Sequence, residues 1–231
     1  MNRRPEPELM TCPDQAIAYA QADFSSSDRS MIERLINWLD ELQVNLVPGS
    51  TILDLGCGPG NIAQRLAVQW PHSDVIGIDG SISMLRIANQ RLNNEESSSS
   101  NLQYKQVDLN HCRDLNLGFA SRASLLVSNS LLHHLHDPQR LWSVVQALAS
   151  PGALTFHRDL RRPPDESAVN SLCERYVSDA PTVLKRDFWA SLHAAFTVDE
   201  VRSQLQHAGM PHLAVREVGD RYLEVYGQWF P

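Results

Sequence analysis

Two hydrophobic periods alternate along the chain. Strand-length segments recur at Thr51–Leu55, Asp74–Ile78, Leu102–Val107, Ala123–Val127, Ala153–His157, His212–Arg216 and Tyr222–Tyr226. Most are separated by stretches in which apolar residues return every three or four positions, the helix period. The strongest of these is Asp28–Leu42, with Met31, Leu35, Ile36, Leu39 and Leu42 on one face. Asp14–Ala22 is an alanine-rich helix headed by an acidic cap. The interval from Asp159 to Gly209 is too long for a simple crossover and predicts helices near Glu166–Val177, Arg186–Ala195 and Thr197–Ala208. Thr197 and Glu200 make a capping box there, and Gly209 closes the last helix. The final two strands meet around Gly219–Asp220, a turn that only an antiparallel hairpin allows. Met1–Pro13 has no period and is expected to be loose. Asn93–Asn101 is a polar low-complexity loop, expected to be mobile and without chemistry.

The stretch TILDLGCGPGNIAQRLAVQWPHSDVIGIDGS, Thr51–Ser81, organises the rest. It predicts a strand, a glycine turn, a helix, a second strand and a closing acid. In open α/β sheets ligands sit at the carboxyl ends of strands, and the turn and Asp79 would share that edge. Gly56 and Gly58 let the backbone press against a ligand, and Gly60 brings the helix close to the sheet. Asp79 offers two acceptor oxygens suited to a pair of ribose hydroxyls. Asp54 can accept from the loop amides. The bland alternative is a tight turn followed by a solvated acid. A dinucleotide fingerprint would need glycine at 61, where Asn61 stands.

The DxGxGxG pattern with a strand-end acid resembles the class I S-adenosylmethionine-dependent methyltransferases, from about Pro48 to Gly227. The resemblance implies a doubly wound, seven-stranded, mostly parallel sheet with an antiparallel last strand. It divides the single domain into an N-terminal helical arm (1–46), a cofactor core (47–157), a helical lid between strands five and six (158–209) and a C-terminal hairpin (210–231). It implies S-adenosyl-L-methionine as cofactor, leaving as S-adenosyl-L-homocysteine. The cofactor residues carried over are Tyr19 on the arm, Gly56, Cys57 and Gly58 in the turn, Asp79, Gly80 and Met84 after the second strand, Asp108 and Leu109 after the third, and Asn129 after the fourth. Asp108 would accept from the adenine amino group. Phe24, Arg158, Tyr176 and Trp189 are the acceptor-side candidates, although Tyr19, Phe24, Tyr176 and Trp189 can equally be packing aromatics.

Composition narrows the partners. The chain has 231 residues, 42% hydrophobic and 20% charged, with net charge -7. That is enough for one domain with a full core, and its acidic balance speaks against nucleic acid. No apolar run reaches membrane-spanning length, and the N-terminal residues carry no signal-peptide core. A cytoplasmic protein with no membrane partner is expected. Four scattered cysteines without a CxxC pair suggest neither zinc nor disulfides.

Methyl transfer from a sulfonium by direct in-line displacement needs alignment above all, and a general base only if the acceptor arrives protonated. His134, Asp159 and His157 are the candidate bases or anchors. The cluster His133, His134, His136 and Asp137 invites a metal, but adjacent residues of a helix point apart. The magnesium-dependent methyltransferases have paired acids where this chain has Ser128–Asn129. No metal is therefore expected. The Asn-Pro-Pro-Tyr signature of adenine and glutamine methyltransferases is absent, residues 129–132 being Asn-Ser-Leu-Leu. Arg158, Arg161, Arg162, Arg175, Lys185 and Arg186 would suit an anionic acceptor, unless the neighbouring acids simply balance them. The reading points first to a small-molecule acceptor. The alternatives are a peptide or protein side chain, and a non-catalytic adenosylmethionine-binding protein.

Overall fold

The computed structural model describes residues 1–7, 9–94, 100–109 and 122–230. Residues 95–99, the middle of the expected polar loop, lie outside the described residues. Two helices, α1 (Pro13–Gln21) and α2 (Ser25–Glu41), precede a sheet-and-helix alternation. It runs β1 (Thr51–Leu55), α3 (Asn61–Gln69), β2 (Asp74–Asp79), α4 (Ile82–Asn94), β3 (Leu102–Gln106) and β4 (Ala123–Asn129). A 3-10 turn (Leu132–His134) leads to α5 (Gln139–Leu148) and β5 (Ala149–Leu160). Then follow α6 (Glu166–Val177), α7 (Thr182–Ala194), α8 (Val198–His207), β6 (Ala214–Val218) and β7 (Tyr222–Gln228).

The strands form one seven-stranded sheet in the order β3-β2-β1-β4-β5-β7-β6. The first five pair in parallel, while β7 runs antiparallel to both β5 and β6. Strand order reverses between β1 and β4, the crevice where such sheets bind ligands. One apolar layer packs α5 and α8, through Trp142, Val145, Val201 and Leu205, on one face. The other packs α2 and α3, through Met31, Leu35, Ile62 and Leu66, on the opposite face. A smaller cluster of Leu160, Val169, Leu172, Leu192 and Ala195 joins α6 and α7 to the end of β5.

Two expectations are corrected. The fifth strand does not stop at His157; it runs from Ala149 to Leu160, with an irregularity in its pairing to β4 that accommodates Pro151–Gly152. The boundary expected at residues 157 and 158 therefore cuts a strand. Arg158 and Asp159 belong to the sheet because each meets a buried counter-charge: Glu224 for Arg158, His133 for Asp159.

The second correction is the N-terminal segment, which is docked rather than loose. Arg3 donates to the carbonyls of Ala194 (2.6 Å), His133 (3.0 Å) and Leu135 (2.9 Å), and its guanidinium lies 4.0 Å over the Phe196 ring. The Arg4 amide donates to the His193 carbonyl at 2.9 Å. Further along, Ser81 Oγ donates to the Met10 carbonyl and Ser83 Oγ to that of Thr11. The segment is a strap along the carboxyl edge of the sheet.

Candidate functional site

A cavity of about 970 Å3, mouth included, opens at the carboxyl ends of β1, β2 and β4. Its floor is the glycine turn. Gly58 adopts φ +52 with nothing near the place a Cβ would occupy, so its backbone faces open space. Gly60 adopts φ +89, and a Cβ there would collide with the Tyr104 hydroxyl. Both positions need left-handed backbone, which glycine alone adopts without strain.

Asp79 closes β2 and holds the turn. One carboxylate oxygen accepts from the Gly58 amide at 2.8 Å, the other from the Ser81 amide at 2.7 Å. Each oxygen keeps a further lone pair for a ligand. Burial pushes the Asp79 carboxyl up against these two amides. Asp54, at the end of β1, is 1% exposed. Burial first, and then the neighbouring Asp79 charge, pushes it well above the usual carboxylate range. Its Oδ2 is buried without a hydrogen-bond partner. A buried acceptor left unpaired is costly, so the cavity presents an acceptor in want of a donor.

The walls come from four places. Met84 from α4, and Asp108 and Leu109 beyond β3, form one side. Asn129, Ser130 and Leu131, after β4, form another, continued by His134 and Leu135. Ser130 is a non-glycine residue at φ +55, the kind of backbone strain that gathers at functional sites. Tyr19 and Phe24, ring centroids 4.8 Å apart, close the arm side. Leu9 and Met10 of the strap complete the wall.

The structure thus brings together Tyr19, Phe24, Gly56, Cys57, Gly58, Asp79, Gly80, Met84, Asp108, Leu109, Asn129 and His134 around one cavity. It sets the other candidates apart. His157 is sealed inside, its Nδ1 2.8 Å from Ser128 Oγ and its Nε2 against Thr155 Oγ1. Asp159 is occupied by the Leu132 amide (2.6 Å) and His133 Nδ1 (2.5 Å). Arg158 is 1% exposed and paired with Glu224 at 2.6 Å. Alternation along β5 turns its side chain towards α2, where it also meets the Ser27 carbonyl. Tyr176 bonds Asp220 and carries Arg221 over its ring, and Trp189 stacks on His193. Neither lines the cavity, and among the described residues nothing in 158–209 does. The cavity is walled by the strap, the arm and the turn after β4 instead.

Asp28 is the residue that sequence reasoning missed. It lies in the first turn of α2, 3% exposed, and lines the cavity. Asn61 Nδ2 donates to it at 3.2 Å, and Arg65 lies 4.0 Å away. Burial pushes its carboxyl up. The signal was present: Asp28 precedes Met31, Ile32 and Leu35 on the inward stripe, an acid where the helix pattern demands an apolar residue. Glu6 and the strap carried no such signal.

Comparisons with known proteins agree with this geometry. Residues 52–152 match a family model described as a methyltransferase domain. The ubiquinone biosynthesis O-methyltransferase of Acinetobacter baylyi is 30% identical over 142 residues, 62% of this chain and 56% of that protein. The trans-aconitate 2-methyltransferase of Azoarcus sp. is 28% identical over 150 residues, 60% of this chain and 54% of that protein. The chain thus spans little more than half the length of these curated relatives. Among solved structures, the plantazolicin methyltransferase BpumL, in complex with S-adenosylhomocysteine (SAH) and a desmethylplantazolicin analogue, superposes with a TM-score of 0.71. That match is 15% identical and covers 94% of this chain and 90% of that one. It carries the same fold. With this sheet order and this turn, the chain has the methyltransferase fold, and its residues 52–152 are similar to a methyltransferase domain.

Proposed function

We propose that the cavity binds S-adenosylmethionine and that the protein transfers its methyl group to a small molecule by in-line displacement. One observation carries this reading. Asp28, Asp54, Asp79 and Asp108 all line the cavity, and among the described residues no lysine or arginine does. Such a site favours a cationic ligand and opposes a pyrophosphate, which other α/β proteins hold at a helix N-terminus. The cofactor supplies an electrophilic methyl on a sulfonium and carries a second positive charge on its ammonium.

The residues divide the work as follows. Asp79 takes the ribose hydroxyls while its two amide bonds keep the turn in shape. The unpaired Asp54 Oδ2 takes a donor from the methionine end. Asp108, Leu109 and Met84 frame the adenine. Asp28, His134, Tyr19 and Phe24 face the remaining space and form the acceptor side. Asp28 is the carboxylate there that can orient or deprotonate an acceptor hydroxyl or amine. This disfavours the anionic acceptor that the arginines of residues 158–186 suggested, because those arginines lie outside the cavity. The names of the curated relatives support a small-molecule acceptor without bearing on its charge.

The test is calorimetry followed by turnover. S-adenosylmethionine and SAH bind, while NAD and ATP do not. SAH then accumulates with a metabolite extract as acceptor source, and not with a proteome extract. Tight NAD binding without adenosylmethionine binding overturns the cofactor reading. Turnover only with the proteome extract overturns the acceptor class.

A further inference from the structure

We propose that Glu6, His133 and His134 form a zinc site in the acceptor-side wall of the cavity. The expectation of no metal rested on the missing acid pair at Ser128–Asn129 and on adjacent histidines diverging along a helix, and the second ground does not hold. Here they stand on a 3-10 turn, with ring centroids 4.2 Å apart and only 35° between the planes, so both rings face the same way. The strap then lays a carboxylate against them. Glu6 Oε1 lies 3.4 Å from His133 Nε2 and 3.3 Å from His134 Nδ1. A tetrahedral zinc with bonds of about 2.0–2.1 Å spaces its ligand atoms about 3.3–3.4 Å apart. All three candidate ligand atoms lie within 4.8 Å of one another.

The surroundings prepare these atoms for a cation. Asp159 Oδ1 accepts from His133 Nδ1 at 2.5 Å, which places the proton on Nδ1 and turns the Nε2 lone pair towards Glu6. A carboxylate behind an imidazole in this way is the usual orienting partner of a metal-bound histidine. His134 Nδ1 is buried and has no hydrogen-bond partner, although Glu6 is close. Ser191 Oγ donates to Glu6 Oε1 at 2.9 Å and fixes the carboxylate. Two imidazoles and a carboxylate suit zinc, and such a set leaves one tetrahedral position for water or an acceptor heteroatom. Because His134 lines the cavity, the ion would lie beside the ligand space and pin the strap to the wall. The competing arrangement is a proton shared between Glu6 and His133, which binds no metal.

This inference stands independently of methyl transfer, and its test needs no turnover. The full chain is stripped with a chelator and titrated with zinc chloride against a chromophoric zinc indicator, with magnesium chloride in parallel. One zinc per chain should bind at micromolar concentration or tighter and raise the melting temperature, and magnesium should do neither. Glu6→Gln and His134→Gln should each weaken zinc binding at least about tenfold. Glu6 lies on the strap, outside the sheet core, so its variant keeps the fold. No stoichiometric zinc on the unmodified chain, or an unchanged affinity in either variant, overturns the site.

Discussion

At the scale of single residues, the site depends on carboxylates given specific work by the backbone around them. Asp79 shows this most clearly, since both its oxygens already hold main-chain amides. Asp79→Ala loses charge-assisted bonds worth roughly 1.5–3 kcal/mol each and releases the Gly58 turn. Adenosylmethionine affinity, measured by calorimetry, should fall at least about tenfold in a protein that still melts cooperatively. His157 makes a different forecast. An unfolded histidine titrates near about pH 6.5, whereas burial holds the folded His157 down to about 3. Between those values only the unfolded chain takes up the proton. Stability conferred above that window is therefore lost as the pH falls through it, at up to about 1.4 kcal/mol per pH unit. Urea titrations across that window should show a shallower slope in a folded His157→Gln protein. An identical slope would show that the ring is not the group responsible.

At the scale of elements, one carboxylate joins four of them. Glu224 on β7 is completely buried and accepts from Arg34 of α2 (2.8 Å), Arg158 of β5 (2.6 Å) and Arg216 of β6 (3.1 Å). Burial alone would raise its pKa, but Arg34 and Arg158 outweigh that and hold it below the usual carboxylate range. Its contribution is present at neutral pH and lost in acid as the pH falls through that lowered value. Glu224→Gln leaves Arg158 buried without its counter-charge, a loss of about 3–5 kcal/mol that denaturant unfolding at pH 7 should register. The same network explains what was legible in the sequence. The unit from β1 to Asp79 could be read because apolar runs, glycines and a strand-end acid are local signals. The true length of β5 could not. Arg158 and Asp159 look like loop residues until Glu224 and His133, which neutralise them, are brought alongside by the fold. Tyr176 and Trp189 were misplaced for a related reason: their positions are set by Asp220, Arg221 and His193, and nothing local reports that.

At the scale of the whole molecule, the cavity is closed by its least patterned segment. Leu9 and Met10 complete the wall, and Arg3 anchors the strap on carbonyls of α7 and of the turn after β4. Deleting residues 2–12 removes that wall and the Arg3 contact over Phe196, and leaves the residues of both large apolar layers in place. Competition stopped-flow should then show adenosylmethionine leaving at least about tenfold faster, equivalent to about 1.4 kcal/mol. A dissociation rate equal to that of the intact chain would mean the strap covers the cavity without retaining its ligand.

The strap also sets an order in time. Its partners His193, Ala194 and Phe196 lie near the other end of the chain. A ribosome adding about 5–20 residues per second delivers the strap first and then needs roughly 10–40 seconds to deliver its seat. During that interval β1, β2 and the glycine turn can already form. The strap, made well before its seat, is therefore among the last parts to reach its place, and the nascent cavity stays open on the side that the finished protein closes.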